Sequence, residues 1–118
     1  MPSVEIAVDL APGVEAPPGP VTLRGQVEEV TASDAPAHVV ARAVLRDVVL
    51  TRGATLTVDV PSPDPRSRYT VRVHADCDGS GDVAPEDLVS TQASPVLTQG
   101  HPDAVEVRLF PASPRWTP

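Results

Sequence analysis

Hydrophobic residues alternate with polar or small ones along most of this chain. In Val4–Leu10, Val4, Ile6, Val8 and Leu10 fall on one side, with Glu5, Ala7 and Asp9 between them. A period of two is that of a strand half-buried on one face. The pattern recurs over Val21–Val30 and over Thr55–Val60, where Leu56, Val58 and Val60 point inward. It recurs again over Tyr69–Ala75, with Tyr69, Val71, Val73 and Ala75 inward, and over Ala104–Phe110, with Val105, Val107 and Leu109 on one face. His38–Arg46 is ambiguous: its alanines suit a helix, on which Arg42 and Arg46 would place like charges on one face. Its neighbours are strands, and it is read as a strand with Val39, Ala41, Ala43 and Leu45 inward. Val48–Leu50, Leu88–Thr91 and Ser94–Thr98 are shorter candidates. The last belongs at an edge or a kink, because Pro95 has no N–H to give to a ladder.

Proline and glycine separate these segments. Fifteen prolines, densest at Pro12–Pro20, Pro61–Pro65 and Pro111–Pro118, exclude long helices. Thr31–Pro36 is a turn cluster in which Pro36 keeps any helix starting at Ser33 or Asp34 short. About seven strands at short spacing predict an all-β, immunoglobulin-like antiparallel β-sandwich. It would be one domain over 1–110, followed by a Pro-rich tail over 111–118.

Composition narrows the functional classes. The chain is 41% hydrophobic, so it has a core, but one of Val, Ala and Leu with few aromatics, which suits sheets. A net charge of −7 argues against nucleic acid, where phosphate neutralisation dominates binding, and favours solubility, cation binding or a basic partner. Every basic residue is Arg, and with the Ala, Val, Pro and Asp bias this fits a GC-rich bacterial genome. The one cysteine, Cys77, excludes an internal disulfide framework and a Cys-rich zinc site, and no paired CxxC or HxxxH is present. No apolar run approaches the ~20 residues of a transmembrane helix. Met1-Pro2-Ser3-Val4-Glu5 has no basic or apolar leader pattern, which implies a cytoplasmic protein if Met1 is native, and an envelope or secreted one if a leader was removed.

One segment concentrates chemistry. Asp76-Cys77-Asp78-Gly79-Ser80-Gly81-Asp82-Val83-Ala84-Pro85-Glu86-Asp87 places side-chain oxygens at positions one, three, five and twelve, glycine at six and an aliphatic residue at eight. That is the spacing of an EF-hand-type calcium loop. Asp76, Asp78, Ser80, Asp82 and Asp87 are the candidate Ca²⁺ ligands, with weak affinity of ~10⁻⁵–10⁻³ M. The loop leaves a strand, not a helix, and the plainer reading is a solvated acidic hairpin. Nucleophilic catalysis has little support, since the flanking aspartates would raise the pKa of Cys77 and no Gly-x-Ser-x-Gly elbow occurs. His74 and Asp76, two residues apart on one strand, would share a face. Arg66, Arg68, Arg72 and Arg108 are available to pair with aspartates, and Trp116 in the tail could anchor a partner.

The order of segments resembles the YbaY/YscW-like family, small β-sandwich lipoproteins that include pilotin-like chaperones of type III secretion. The resemblance is carried by Val27-Glu28-Glu29-Val30-Thr31-Ala32-Ser33-Asp34-Ala35-Pro36, Val39-Val40-Ala41, Leu56-Thr57-Val58-Asp59-Val60, Tyr69-Thr70-Val71-Arg72-Val73 and Ser94-Pro95-Val96-Leu97-Thr98-Gln99-Gly100, and it spans roughly 21–110. In that family a cysteine after a signal peptide carries a lipid anchor, a position that mid-chain Cys77 does not take. The resemblance implies a non-enzymatic binding or assembly module engaging another protein, with calcium, if bound, in a structural role. The alternative is a small metal-dependent enzyme or accessory subunit using the acidic loop.

Overall fold

The computed structural model describes residues 2–30 and 37–112. A helical turn at Ser33 or Asp34 and a role for Trp116 therefore lie outside the described residues. Among the described residues eight strands form: β1 (Ser3–Leu10), β2 (Val21–Val30), β3 (His38–Val48), β4 (Ala54–Asp59), β5 (Arg68–Asp76), β6 (Leu88–Ser90), β7 (Ser94–Val96) and β8 (Ala104–Pro111). Val48–Leu50 is not a strand of its own. Val48 ends β3, and Leu50 opens a single 3-10 turn over Leu50–Arg52. β8 runs one residue past the expected domain end, with Pro111 opposite Leu88.

The protein is all-β, but its pairing differs from the expected antiparallel, immunoglobulin-like sandwich. The strands follow one hydrogen-bonded path, β3-β2-β5-β6-β8-β1-β4, with β7 on β5 off that path. One pair is parallel: β1 and β8 run together from Glu5 opposite Ala104 to Leu10 opposite Leu109. No hairpin joins these two strands, so nothing local forces them antiparallel. The path curls until its two ends, β3 and β4, approach each other without a ladder, which makes the sheet a nearly closed barrel.

The alternating apolar residues fill its interior. Val4, Ile6, Leu23, Val27, Val58, Val60, Val71, Val96 and Leu109 are fully buried. Gly25 lies at a close approach across the core. A Cβ there would stand 3.0 Å from Leu56 Cδ1 and 3.5 Å from Ile6 Cδ1.

β3 departs from simple alternation. Val27 pairs with Ala41 but Glu28 pairs with Val39, so Val40 is an extra residue and Val39 leaves the expected inner set. A second irregularity lies between the Leu23–Leu45 and Val21–Val48 pairs, where Asp47 adopts φ +57°. Leu45 shares a face with Leu23 yet stays 40% exposed, because β3 ends the path and its inner side is only partly covered.

Candidate functional site

β5 delivers the acidic loop and β6 receives it. Asp76 is the last residue of β5 and Asp87 immediately precedes β6. Both carboxylates are buried, at 1% and 0% exposure. Asp76 Oδ1 accepts the Gly79 N–H (3.0 Å), and Oδ2 accepts the Gly81 N–H (2.8 Å) and Arg24 Nε–H (3.0 Å). Asp87 Oδ1 accepts the Cys77 N–H (2.9 Å), while Oδ2 accepts the Ala84 N–H (2.9 Å) and lies 2.7 Å from His74 Nε2. Gly79 and Gly81 reach these contacts at φ +74° and +88°, left-handed geometry that glycine adopts without strain.

The five expected ligands therefore divide. Asp76 and Asp87 meet behind the loop, together with His74, whose ring nitrogen and the two carboxylates offer atoms within 4.8 Å of one another. Asp78, Ser80 and Asp82 stay exposed on the loop. There Asp78 Oδ1 accepts the Ser80 N–H (3.0 Å) and Ser80 Oγ accepts the Asp82 N–H (3.2 Å).

Electrostatics follows from these bonds. Burial pushes the Asp76 carboxyl up, but the Gly81 N–H, Arg24 and the Gly79 N–H hold it far below the usual carboxylate range. Asp87 is likewise raised by burial and lowered further by the Ala84 and Cys77 N–H groups and by His74. The Cys77 thiol is pushed up to about 11, by burial first and then by the charges of Asp87, Glu86 and Asp76. The thiolate is thereby suppressed, with burial leading and Asp76 the one flanking aspartate among the named charges.

Two partners of the loop were not evident in the sequence. His74 bonds Asp87, not Asp76, although 74 and 76 share a strand. Arg24 reaches Asp76 because β2 and β5 pair with Arg24 opposite His74. Only the pairing register, which one strand does not disclose, brings that arginine there. Of the arginines expected to pair with aspartates, Arg66 holds Asp64 at 3.5 Å on the surface, while Arg72 takes a glutamate, Glu28, at 2.9 Å.

Beside the loop, the outer face of β3, β2 and β5 carries two cross-strand rows. Arg42, Gln26 and Arg72 form one row, and Val44, Arg24 and His74 the next. A groove of about 490 Å³ runs over them and is bounded by Gly81 and Val83 of the loop.

No protein-family model matches the chain, and no curated protein matches it. Among solved structures, the chain is similar to an alternative pilotin from the type II secretion system of Vibrio cholerae. The two share a TM-score of 0.70 and 20% identity over 95% of this chain and 97% of that one. At this identity the likeness concerns the fold: the chain has the fold of a secretion pilotin along nearly its whole length. No helix among the described residues is long and apolar enough to cross a membrane.

Proposed function

We propose that the protein is a non-catalytic, pilotin-like module that binds another protein during the assembly of a secretion apparatus. The observation that carries this reading is the full-length likeness to a type II secretion pilotin, and the sequence resemblance to a family with pilotin-like chaperones agrees with it. The acidic loop supports the same reading against the enzymatic alternative. Its buried carboxylates each accept three bonds from structural donors, which leaves neither poised to take a substrate proton. Cys77 is no better placed as a nucleophile. The test is deletion of the gene in its host, followed by measurement of secretion and of the oligomeric state of the secretion channel. Loss of channel assembly, restored by the intact gene, is expected; normal assembly and normal secretion refute the reading.

We propose also that the 76–87 loop takes calcium as a structural ion. The support is the internal bonding of the loop, in which the oxygens at positions one, three and five accept N–H groups further along and wind the chain about them. Asp76 and Asp87 each already accept three of the roughly four bonds a carboxylate can take, and Asp76 is also paired with Arg24, which fits weak affinity. At calcium tenfold to a hundredfold above Kd, binding would stabilise the fold by about 1.4–2.7 kcal/mol. Thermal unfolding of chelator-treated protein tests this: a calcium-dependent rise lost in Asp78→Ala supports it, and no rise with 10 mM calcium refutes it.

A further inference from the structure

The outer face of β3, β2 and β5 has a chemistry unlike the rest of this acidic protein. Among the described residues, every ionisable residue lining its groove is basic: Arg24, Arg42, Arg72 and His74. The exposed carboxylates Asp78 and Asp82 do not line it. The anions that balance two of the arginines share this face but are covered from solvent, with Asp76 and Glu28 side chains 0% and 7% exposed. The guanidinium groups are therefore what a visitor meets.

They are also held in a particular way. Arg24 is tied to Asp76, and Arg72 to Glu28, through Nε. Glu28 is itself fixed by Gln26 Nε2 at 2.7 Å. Among the described residues, no hydrogen bond uses a terminal Nη of either arginine, and Arg42 forms no ion pair. Each Nη pair is a donor fork of the geometry that takes a carboxylate. Arg42 and Arg72 stand two strands apart in one row, about 10 Å, and Arg24 lies between them in the next row. Apolar walls complete the groove, with Val44 47% and Val83 60% exposed.

We propose that this face docks an acidic segment of a partner protein, its carboxylates on Arg24, Arg42 and Arg72 and an apolar side chain between Val44 and Val83. The proposal rests on the reading of the chain as a protein-binding module and names the chemistry of its partner. A short acidic segment meets only the basic lining. A phosphate-dense surface, membrane or nucleic acid, would also meet the remainder of a protein of charge −7.

The test is fluorescence anisotropy with a labelled twelve-residue peptide alternating Glu with Leu or Val, its twin with Lys for Glu, and phosphatidylglycerol vesicles as a third probe. Saturable binding of the Glu peptide, absent for the Lys peptide and weakened by salt, is expected. Arg42→Glu and Arg72→Ala should each weaken it roughly fivefold or more, while Arg66→Ala leaves it unchanged. Arg42 forms no ion pair among the described residues, so unaltered thermal unfolding of Arg42→Glu assigns its loss to the contact, whereas Arg72→Ala also uncovers Glu28 and is read against its own unfolding curve. No binding of the Glu peptide, equal binding of both peptides, indifference to Arg42→Glu, or displacement of the peptide by the vesicles overturns the proposal. Channel assembly that fails on gene deletion while the Glu peptide does not bind removes this face and keeps the assembly role. Peptide binding in a protein whose deletion leaves assembly intact keeps the face and removes that role.

Discussion

Replacing Asp87 with Ala removes the acceptor on which the return of the loop depends. The carboxylate is fully buried and holds the Cys77 and Ala84 N–H groups and His74 Nε2. Bonds to a charged acceptor contribute about 1.5–3 kcal/mol each, so a simple sum for three reaches about 4.5–9 kcal/mol. Two effects reduce it. Ala84 is only half-buried, so water can reach its N–H once the carboxylate is gone, and bonds that share one acceptor are not additive. A loss of about 3–5 kcal/mol remains. Against a typical domain stability of 5–15 kcal/mol the variant stays measurable. With a urea m-value of about 2 kcal/mol/M, its midpoint should fall by about 1.5–2.5 M. Asp82→Ala, in the same loop but exposed, should cost no more than about 0.5 kcal/mol. If Asp87→Ala costs less than about 1 kcal/mol, or no more than Asp82→Ala, the carboxylate is not the clasp described here.

The remaining expectations concern pH, packing and reactivity. Asp76 and Asp87 have folded-state pKa values below the ordinary 3.8, so the stability they confer is present above pH 3.8 and is lost as pH falls through their folded values; the urea midpoint should drop below pH 3.8, less steeply in Asp76→Asn, and a midpoint that rises there contradicts the assignment. Gly25→Ala puts a Cβ 3.0 Å from Leu56 Cδ1, which must shift by a few tenths of an ångström within a packed core, so its overpacking cost is set against the ~0.4–1 kcal/mol gained from a stiffer unfolded chain; Leu56→Ala in the same chain should remove that clash and make the pair less damaging than the sum, as urea unfolding of the double variant would report. Cys77, with its thiol at about 11 rather than 9.0, should react with iodoacetamide at pH 8 roughly a hundredfold more slowly than an unperturbed thiol; the rate of an unstructured cysteine peptide sets the comparison, and an equal rate refutes the shift.

The strands were legible one at a time because each buries one face, and a period of two survives in any strand so placed. Val4, Ile6 and Val8, Leu56 and Val58, and Tyr69, Val71 and Val73 are all buried as their alternation implies. What alternation does not encode is the neighbour. The parallel β1–β8 pair joins segments about a chain length apart, and nothing in Val4–Leu10 names Val105 or Val107 as its partners. The extra Val40 in β3 shows the same limit, since a bulge exists only relative to the strand opposite. The acidic loop was legible as a unit from its glycines and its spaced oxygens, but its division into buried and exposed carboxylates was not. For Asp76 it depends on Arg24, 52 residues away, and for Asp87 on His74 of β5.

The same contacts make the loop and the arginine face one mechanical unit. The Gly79 and Gly81 N–H groups fix Asp76, Asp76 fixes Arg24 Nε, and the terminal nitrogens of Arg24 are left toward the groove. Two physical effects then oppose each other in Asp76→Asn. Removing a negative charge behind the groove makes the face more positive and, by charge alone, should strengthen binding of an acidic segment. Releasing Arg24 returns up to about 2 kcal/mol of rotamer entropy that must be lost again on binding, and lets the loop rim drift. The Asp76 side chain is fully buried, so surface-pair values do not bound this gain, and at an effective dielectric of about 20 the two effects are of similar size. If the loop aims Arg24, Asp76→Asn binds the Glu peptide more weakly than the unaltered protein. Anisotropy titration decides the sign. Tighter binding by Asp76→Asn would mean that the face acts through its net charge alone, and that the loop has no part in aiming it.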